Sequence, residues 1–177
     1  MTEEQQALSQ SGVLDAQLSR RLGAATLAYS YVQIERALDQ LSVEVTVAFQ
    51  DQSPQCICVL PEGLVFAGML LRRLIFPLSL YTTAEPPDTP ATQVLDLARP
   101  VLLLSAEMGL PSLQAWLDWL PEGAARCVVL LQAPAAQAPA DYAALPGLAG
   151  EKVGCGLQYQ GYAANWGGVY LLPEQTV

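Results

Sequence analysis

The residues of this chain with chemistry to offer stand in short loops that follow apolar strands. The richest set lies in VLLLSAEMGLPSLQAWLDWL, residues 101–120, where Ser105, Glu107, Gly109 and Ser112 stand in or just past the loop Ser105–Pro111. A second set is Glu62 and Gly63, in the PEG of residues 61–63. A strand, a tight loop and a helix N-terminus together can present backbone N–H groups to a phosphate. Here the place is right and the composition is not. The first loop holds one carboxylate, one glycine and no lysine, and it closes on Pro111, which has no N–H to give. Glu62 and Glu107 are the only carboxylates in the two loops; they could share a cation, but solvated loop charges are the favoured reading.

Composition narrows the field. The 177 residues carry a net charge of −9, no histidine and a single lysine, Lys152. The acidic balance argues against nucleic acid and anionic membrane as partners, and against a polyphosphate unless a metal intervenes. Zero histidine removes the commonest general base and metal ligand. Hydrophobic residues make up 52% and charged residues 14%, so much of the surface must be apolar, which favours a buried subunit interface. The four cysteines show neither CxxC nor zinc spacing. Cys56 and Cys58 are placed on opposite faces of one strand, and all four read as buried thiols of a reducing cytoplasm. Met1–Gln10 is polar and acidic, unlike a signal segment, and the longest apolar run, Leu64–Leu71, is too short to span a bilayer.

The elements that must position these loops follow from periodicity. Residues 1–12 are polar. Val13–Leu22 reads as a short helix with Leu14, Leu18 and Leu22 on one side. Ser30-x-x-Gln33 fits a capping box, and Ile34, Leu38, Leu41 and Val45 recur at helical spacing to about Phe49. Strands are expected at Gln55–Leu60, Pro77–Thr82, Val101–Ser105 and Cys127–Leu131, with helices at Leu64–Ile75 and Pro111–Leu120. The helix 64–75 is apolar on nearly every side, as a core or subunit-contact helix would be. Glu85–Pro100 holds no convincing element, Ala133–Ala140 is a linker-like loop, and Val169–Leu172 is expected to return to the sheet. Trp116 fits a core face, while Trp119 is the better contact candidate. Tyr159, Tyr162, Trp166 and Tyr170 read as rim packing rather than a stacking platform. Arg72-Arg73 reads as a helix C-terminal pair, or as cations meeting acids across a dimer. Strands alternating with helices make an α/β domain with a mostly parallel, Rossmann-like sheet flanked by helices. The division expected is a polar tail and short helix over 1–28, then one domain over 29–177.

Four segments in order carry a resemblance: VLPEGLVFAGMLLRRL (59–74), FPLSLYTT (76–83), VLLLSAEMGLPSLQAWL (101–117) and VGCGLQYQGYAAN (153–165). Together, from about Tyr29 to Glu174, the chain resembles the hypoxanthine-guanine phosphoribosyltransferases, of the type I phosphoribosyltransferase fold. The resemblance implies transfer of phosphoribose from its pyrophosphate to a purine, with magnesium. That reaction needs two carboxylates on the ribose hydroxyls, a third to accept the purine's proton, backbone amides around the 5′-phosphate, and a metal on the leaving group.

Carried over by position, the resemblance puts the acidic pair at Ser105 and Ala106, the base at Gly109, and the phosphate-binding Thr-Gly at Leu110-Pro111, just before Ser112. The Lys-Gly of the pyrophosphate loop falls on Pro61-Glu62, with Gly63 kept. In the purine pocket, the oxygen-reading lysine falls on Gln132, the stacking aromatic on Glu151 beside Lys152, the metal-binding aspartate on Gln158, and an arginine on Ala164. A lost general base costs on the order of 10²–10⁴ in rate, and each lost electrostatic contact roughly 10²–10³. The expectation is therefore a degenerate homologue with no catalytic residue and no metal ligand. It would be a cytoplasmic binding or assembly protein, homodimeric or heteromeric through the helix 64–75, with a small ligand possible in the old cleft. No cofactor is expected; magnesium enters only under the alternative, an active purine salvage enzyme.

Overall fold

Gln55–Val59 (β2) and Val101–Glu107 (β4) are buried along their whole length, the pattern of strands covered on both faces of a parallel sheet. In the computed structural model, which describes residues 16–88, 90–132 and 139–174, they are the middle of a five-stranded sheet. The other described elements are Ala16–Gly23 (α1), Thr26–Tyr29 (β1), Tyr31–Phe49 (α2), Gly63–Leu71 (α3), Ser79–Thr83 (β3), Ala91–Val94 (α4), Pro111–Trp119 (α5), Ala125–Leu131 (β5), Tyr142–Leu145 (β6), Lys152–Val153 (β7) and Val169–Leu171 (β8). The sheet order is β3-β2-β4-β5-β6, every pairing parallel. Helices flank it on both sides, as expected of an α/β chain.

The capping box forms as read. Ser30 accepts from the Gln33 backbone and Gln33 caps Ser30 in return, so α2 starts where its first donors are satisfied. Its apolar stripe, Ile34, Leu38, Leu41, Val45 and Phe49, joins Phe66, Ala67 and Leu70 of α3 against Cys56, Cys58, Leu102 and Leu104. Cys56 and Cys58 thus share one face, because side chains two apart on a strand point the same way. All four cysteines are buried thiols and none is in a disulfide. Burial pushes the Cys56 thiol up to about 12 and Cys58 to about 11, which leaves both inert at neutral pH. On the opposite face Ile57, Leu103 and Val129 meet Leu113, Trp116 and Leu120 of the α5 side. Buried Gln55 ties the sheet to the segment after α4: its Nε2 donates to the Asp96 carbonyl (2.8 Å) and its Oε1 accepts from the Asp96 N–H (3.1 Å).

Several expectations need correction. Glu85–Pro100 contains one helical turn, α4. The helix expected over 64–75 runs only Gly63–Leu71, and Ile75 lies beyond it, 92% exposed. β4 continues past Ser105 to Glu107, so the loop after it is only residues 108–110. β8 does not return to the main sheet. It pairs antiparallel with β1 and β7 in a separate three-stranded sheet, above which Leu18 and Leu22 of α1 pack with Trp166, Tyr170 and Leu172. The expected division between residues 28 and 29 falls inside β1. Leu14, residues 1–12 and most of the linker 133–140 lie outside the described residues.

Candidate functional site

The loops singled out in the sequence converge at the C-terminal ends of β2 and β4, the edge at which open α/β sheets bind ligands. A cleft of about 620 Å³ opens there, lined by Pro61, Glu62, Glu85, Pro111, Ser112 and Ala115 among others. Its lining holds two carboxylates and no cation. Ser112 Oγ lies 3.4 Å from Glu62 Oε2, at the long limit of a hydrogen bond. The Leu60–Pro61 peptide before this turn is cis. Gly63 is explained by packing: a Cβ there would sit 2.5 Å from the Leu104 carbonyl oxygen, so a glycine lets α3 lie against β4. Gly109, at φ +88, turns the chain from β4 toward α5, a conformation glycine adopts without penalty.

Ser105 and Glu107 are not loop residues. Both are buried on β4, and the Ser105 hydroxyl donates to the Glu107 carbonyl at 3.3 Å. The Glu107 side chain is not a solvated charge. Its Oε1 lies 3.0 Å from Lys152 Nζ, with the two side chains 11% and 8% exposed. Lys152 Nζ also donates to the carbonyls of Leu148 (2.9 Å) and Gly150 (2.8 Å), so all three of its protons are used. Burial raises the Glu107 pKa above the ordinary carboxylate range, opposed by the lysine's hydrogen bond and charge. Two residues expected in different subsites, one in the phosphate loop and one in the purine pocket, are therefore bonded to each other.

The remaining candidates separate. Gln132 continues β5, its N–H donating to the Leu145 carbonyl and its Oε1 accepting from the Ala140 N–H, both at 2.9 Å; these are structural bonds. Glu151 pairs with Arg21 of α1, which also donates to the Tyr159 hydroxyl and sits 4.5 Å over its ring. Gln158 is exposed in the following turn. Trp166 and Tyr170 are buried edge-to-face at 4.8 Å, which is packing. Trp116 is core and Trp119 is partly exposed beside it, as read. Arg73 meets Glu35 and Asp39, each at 2.8 Å, and Arg72 meets Glu35 at 3.4 Å. These acids are on α2 of the same chain, not across a dimer. Arg21, and the Leu148 and Gly150 carbonyls, were not singled out in the sequence; the signal available was that a lone lysine needs acceptors.

The cleft does not suit a magnesium pyrophosphate. Magnesium is usually held by one or two carboxylates together with substrate phosphates and water, and here those phosphates would meet Glu62 and Glu85 with no cation opposite. Among the described residues no three acidic, cysteine or histidine side chains gather as a metal site, and no helix is long and apolar enough to cross a membrane.

No protein-family model and no curated protein matches the chain. Solved structures do. A hypoxanthine-guanine-xanthine phosphoribosyltransferase superposes with a TM-score of 0.65 at 23% identity, over 84% of this chain and 96% of that one. A hypoxanthine phosphoribosyltransferase from Staphylococcus aureus gives 0.69 at 17% identity, over 90% and 98%. A hypoxanthine-guanine phosphoribosyltransferase from Bacillus anthracis gives 0.68 at 16%, over 84% and 97%. The fold is that of the purine phosphoribosyltransferases.

Proposed function

We propose that this chain is a hypoxanthine-guanine phosphoribosyltransferase homologue that no longer catalyses transfer and acts as a cytoplasmic binding or assembly protein. The observation that carries the reading is the buried Lys152–Glu107 pair at 3.0 Å. It ties the candidate purine pocket to the candidate phosphate loop and engages all three protons of the ammonium, leaving the lysine none for a substrate. Pro61-Glu62 and Leu110-Pro111 support it, because they set negative charge and a missing N–H where a pyrophosphate and a phosphate would need donors.

Assembly, as a homodimer or with a related chain, is proposed through the region 64–75. Leu64 is 57% and Ile75 92% exposed, and Leu80 on the neighbouring edge strand β3 is also exposed. Exposed apolar side chains in this region favour a partner. The second reading, an active purine salvage transferase, is favoured by the shared fold and by a cleft large enough for a small molecule.

Binding separates them. A ligand at 100 times its Kd stabilises the folded state by about 2.7 kcal/mol, which for a domain of this size raises Tm by roughly 5–11 °C. Millimolar phosphoribosyl pyrophosphate with magnesium is expected to leave the Tm unchanged within about 1 °C, whereas a shift of several degrees would favour the active enzyme.

A further inference from the structure

The main sheet has one edge left open among the described residues. β3 lies outermost, paired with β2. The Ser79 N–H donates to the Pro54 carbonyl at 3.0 Å, and the Thr83 carbonyl accepts from the Leu60 N–H at 3.1 Å. Main-chain groups alternate in direction along a strand, so residues 79, 81 and 83 bond to β2. The N–H and C=O of Leu80 and Thr82 point the other way, where no described strand follows. Natural sheets guard such edges with a charge, a proline, a bulge or a covering element. Ser79–Thr83 holds no charge and no proline, and its register with β2 is unbroken. Leu80 and Tyr81 are 48% and 38% exposed. The opposite edge, β6, is half-buried between Asp141 and Pro146.

The charges at its two ends indicate what completes this edge. Arg99 sits at one end of β3, its guanidinium donating to the Ser79 hydroxyl at 3.1 Å. Glu85 stands just past the other end, its carbonyl accepting from the Thr83 hydroxyl at 2.8 Å. Among the described residues neither Arg99 nor Glu85 has a partner of opposite charge. Ser79 and Thr83 share one face of the strand with Tyr81. A second copy laid antiparallel, with its two-fold axis at Tyr81, sets Ser79 opposite the second copy's Thr83. Each Arg99 is thereby carried toward the other copy's Glu85, whereas a parallel pairing would set like charges together. In the same register Leu80 and Thr82 lie opposite each other and exchange both of their main-chain N–H···O bonds. We propose that β3 pairs antiparallel with β3 of a second copy of this chain, joining the two five-stranded sheets into one. The proposal rests on the assembly reading above and gives it a surface and a register.

Light scattering on the full chain is expected to give a mass twice its 18.9 kDa. Crosslinking then reads the register. At the axis the two Tyr81 Cα atoms lie about 4.5 Å apart, within the roughly 4.4–6.8 Å that a disulfide spans. Tyr81→Cys should therefore give a disulfide-linked dimer under mild oxidation. Thr82→Cys should not, because its two copies are about 8–9 Å apart in this register. The native thiols are buried and do not compete. Thr82→Pro removes an N–H that β2 does not use and should yield monomer. Glu85→Arg, at an exposed position, should weaken the dimer about tenfold, since two exposed ion pairs become two repulsions. Adding Arg99→Glu to it should restore the dimer; if that double variant does not fold, the crosslinking pair decides. A dimeric wild type in which Tyr81→Cys crosslinks no better than Thr82→Cys, or which Thr82→Pro and Glu85→Arg leave intact, would overturn the β3 edge and leave assembly standing. A wild type that stays monomeric would overturn the homodimer altogether.

Discussion

Replacing Lys152 by methionine is expected to destabilise the fold by about 3–5 kcal/mol at neutral pH, the usual cost of removing one member of a buried ion pair. The substitution keeps the chain's bulk and takes away its charge. What remains is Glu107 buried on β4 without its cation, together with the Leu148 and Gly150 carbonyls that lysine had satisfied. The double variant Lys152→Met with Glu107→Leu removes the stranded charge and should recover most of the loss, since well-packed apolar replacements of buried pairs are often neutral. It should fall short by the two carbonyls, whose lone pairs tolerate under-satisfaction better than a donor does.

The single variant should also change the pH dependence. Burial already places the folded-state pKa of Glu107 above the ordinary carboxylate range, and without the lysine nothing pulls it down. A folded state that holds the proton more tightly than the unfolded chain loses stability as pH rises through the interval between the two values. Lys152→Met should therefore be much less destabilised near pH 4 than at pH 7. Denaturant unfolding of wild type, single and double variants at both pH values measures this. A loss below about 1 kcal/mol for Lys152→Met at pH 7 would mean that the pair is a solvated surface contact.

The second large effect is expected at Gly156. A Cβ on this residue would lie 2.2 Å from the carbonyl oxygen of Glu62, and its φ is +99. The segment 153–157 and the turn 61–63 thus touch through their backbones, and neither atom in the contact can swing aside as a flexible side chain would. Gly156→Ala should cost about 2–5 kcal/mol, combining roughly 1–2 for the positive φ with about 1–3 for the overpacking. Gly161 is the control: its φ is +84, but a Cβ there would meet nothing within 4 Å. Gly161→Ala should show the conformational cost alone, and the difference between the two variants isolates the contact. Equal losses would mean that the two segments are not held together.

The elements that were legible are those whose signals are local. The Ser30–Gln33 capping box sits three residues apart, and β2 and β4 are apolar runs bounded by turns. β1 and β6 leave little local signal because TLAY and YAAL do not alternate and contain no Val or Ile; none of their residues is buried, and each is a strand because a neighbour pairs with it. The sheet that β8 joins is not legible locally either, since its partners lie at residues 26–29 and 152–153. In the candidate site, Lys152 and Glu107 each stand out in the sequence, but their bond does not, because a contact across this much chain leaves no spacing to read. Glu107 reads as a solvated loop charge in the sequence because the run VLLLS stops two residues short of the end of β4.

The most direct measurement of the central claim is turnover itself. The protein is mixed with phosphoribosyl pyrophosphate, magnesium and either hypoxanthine or guanine, and nucleotide product is followed over hours. The proposed loss of the base and of several charge-stabilising groups, each worth on the order of 10²–10³ or more, predicts product no faster than the protein-free mixture. Turnover of about 1 per second or faster, within the ordinary range for enzymes, would contradict the account.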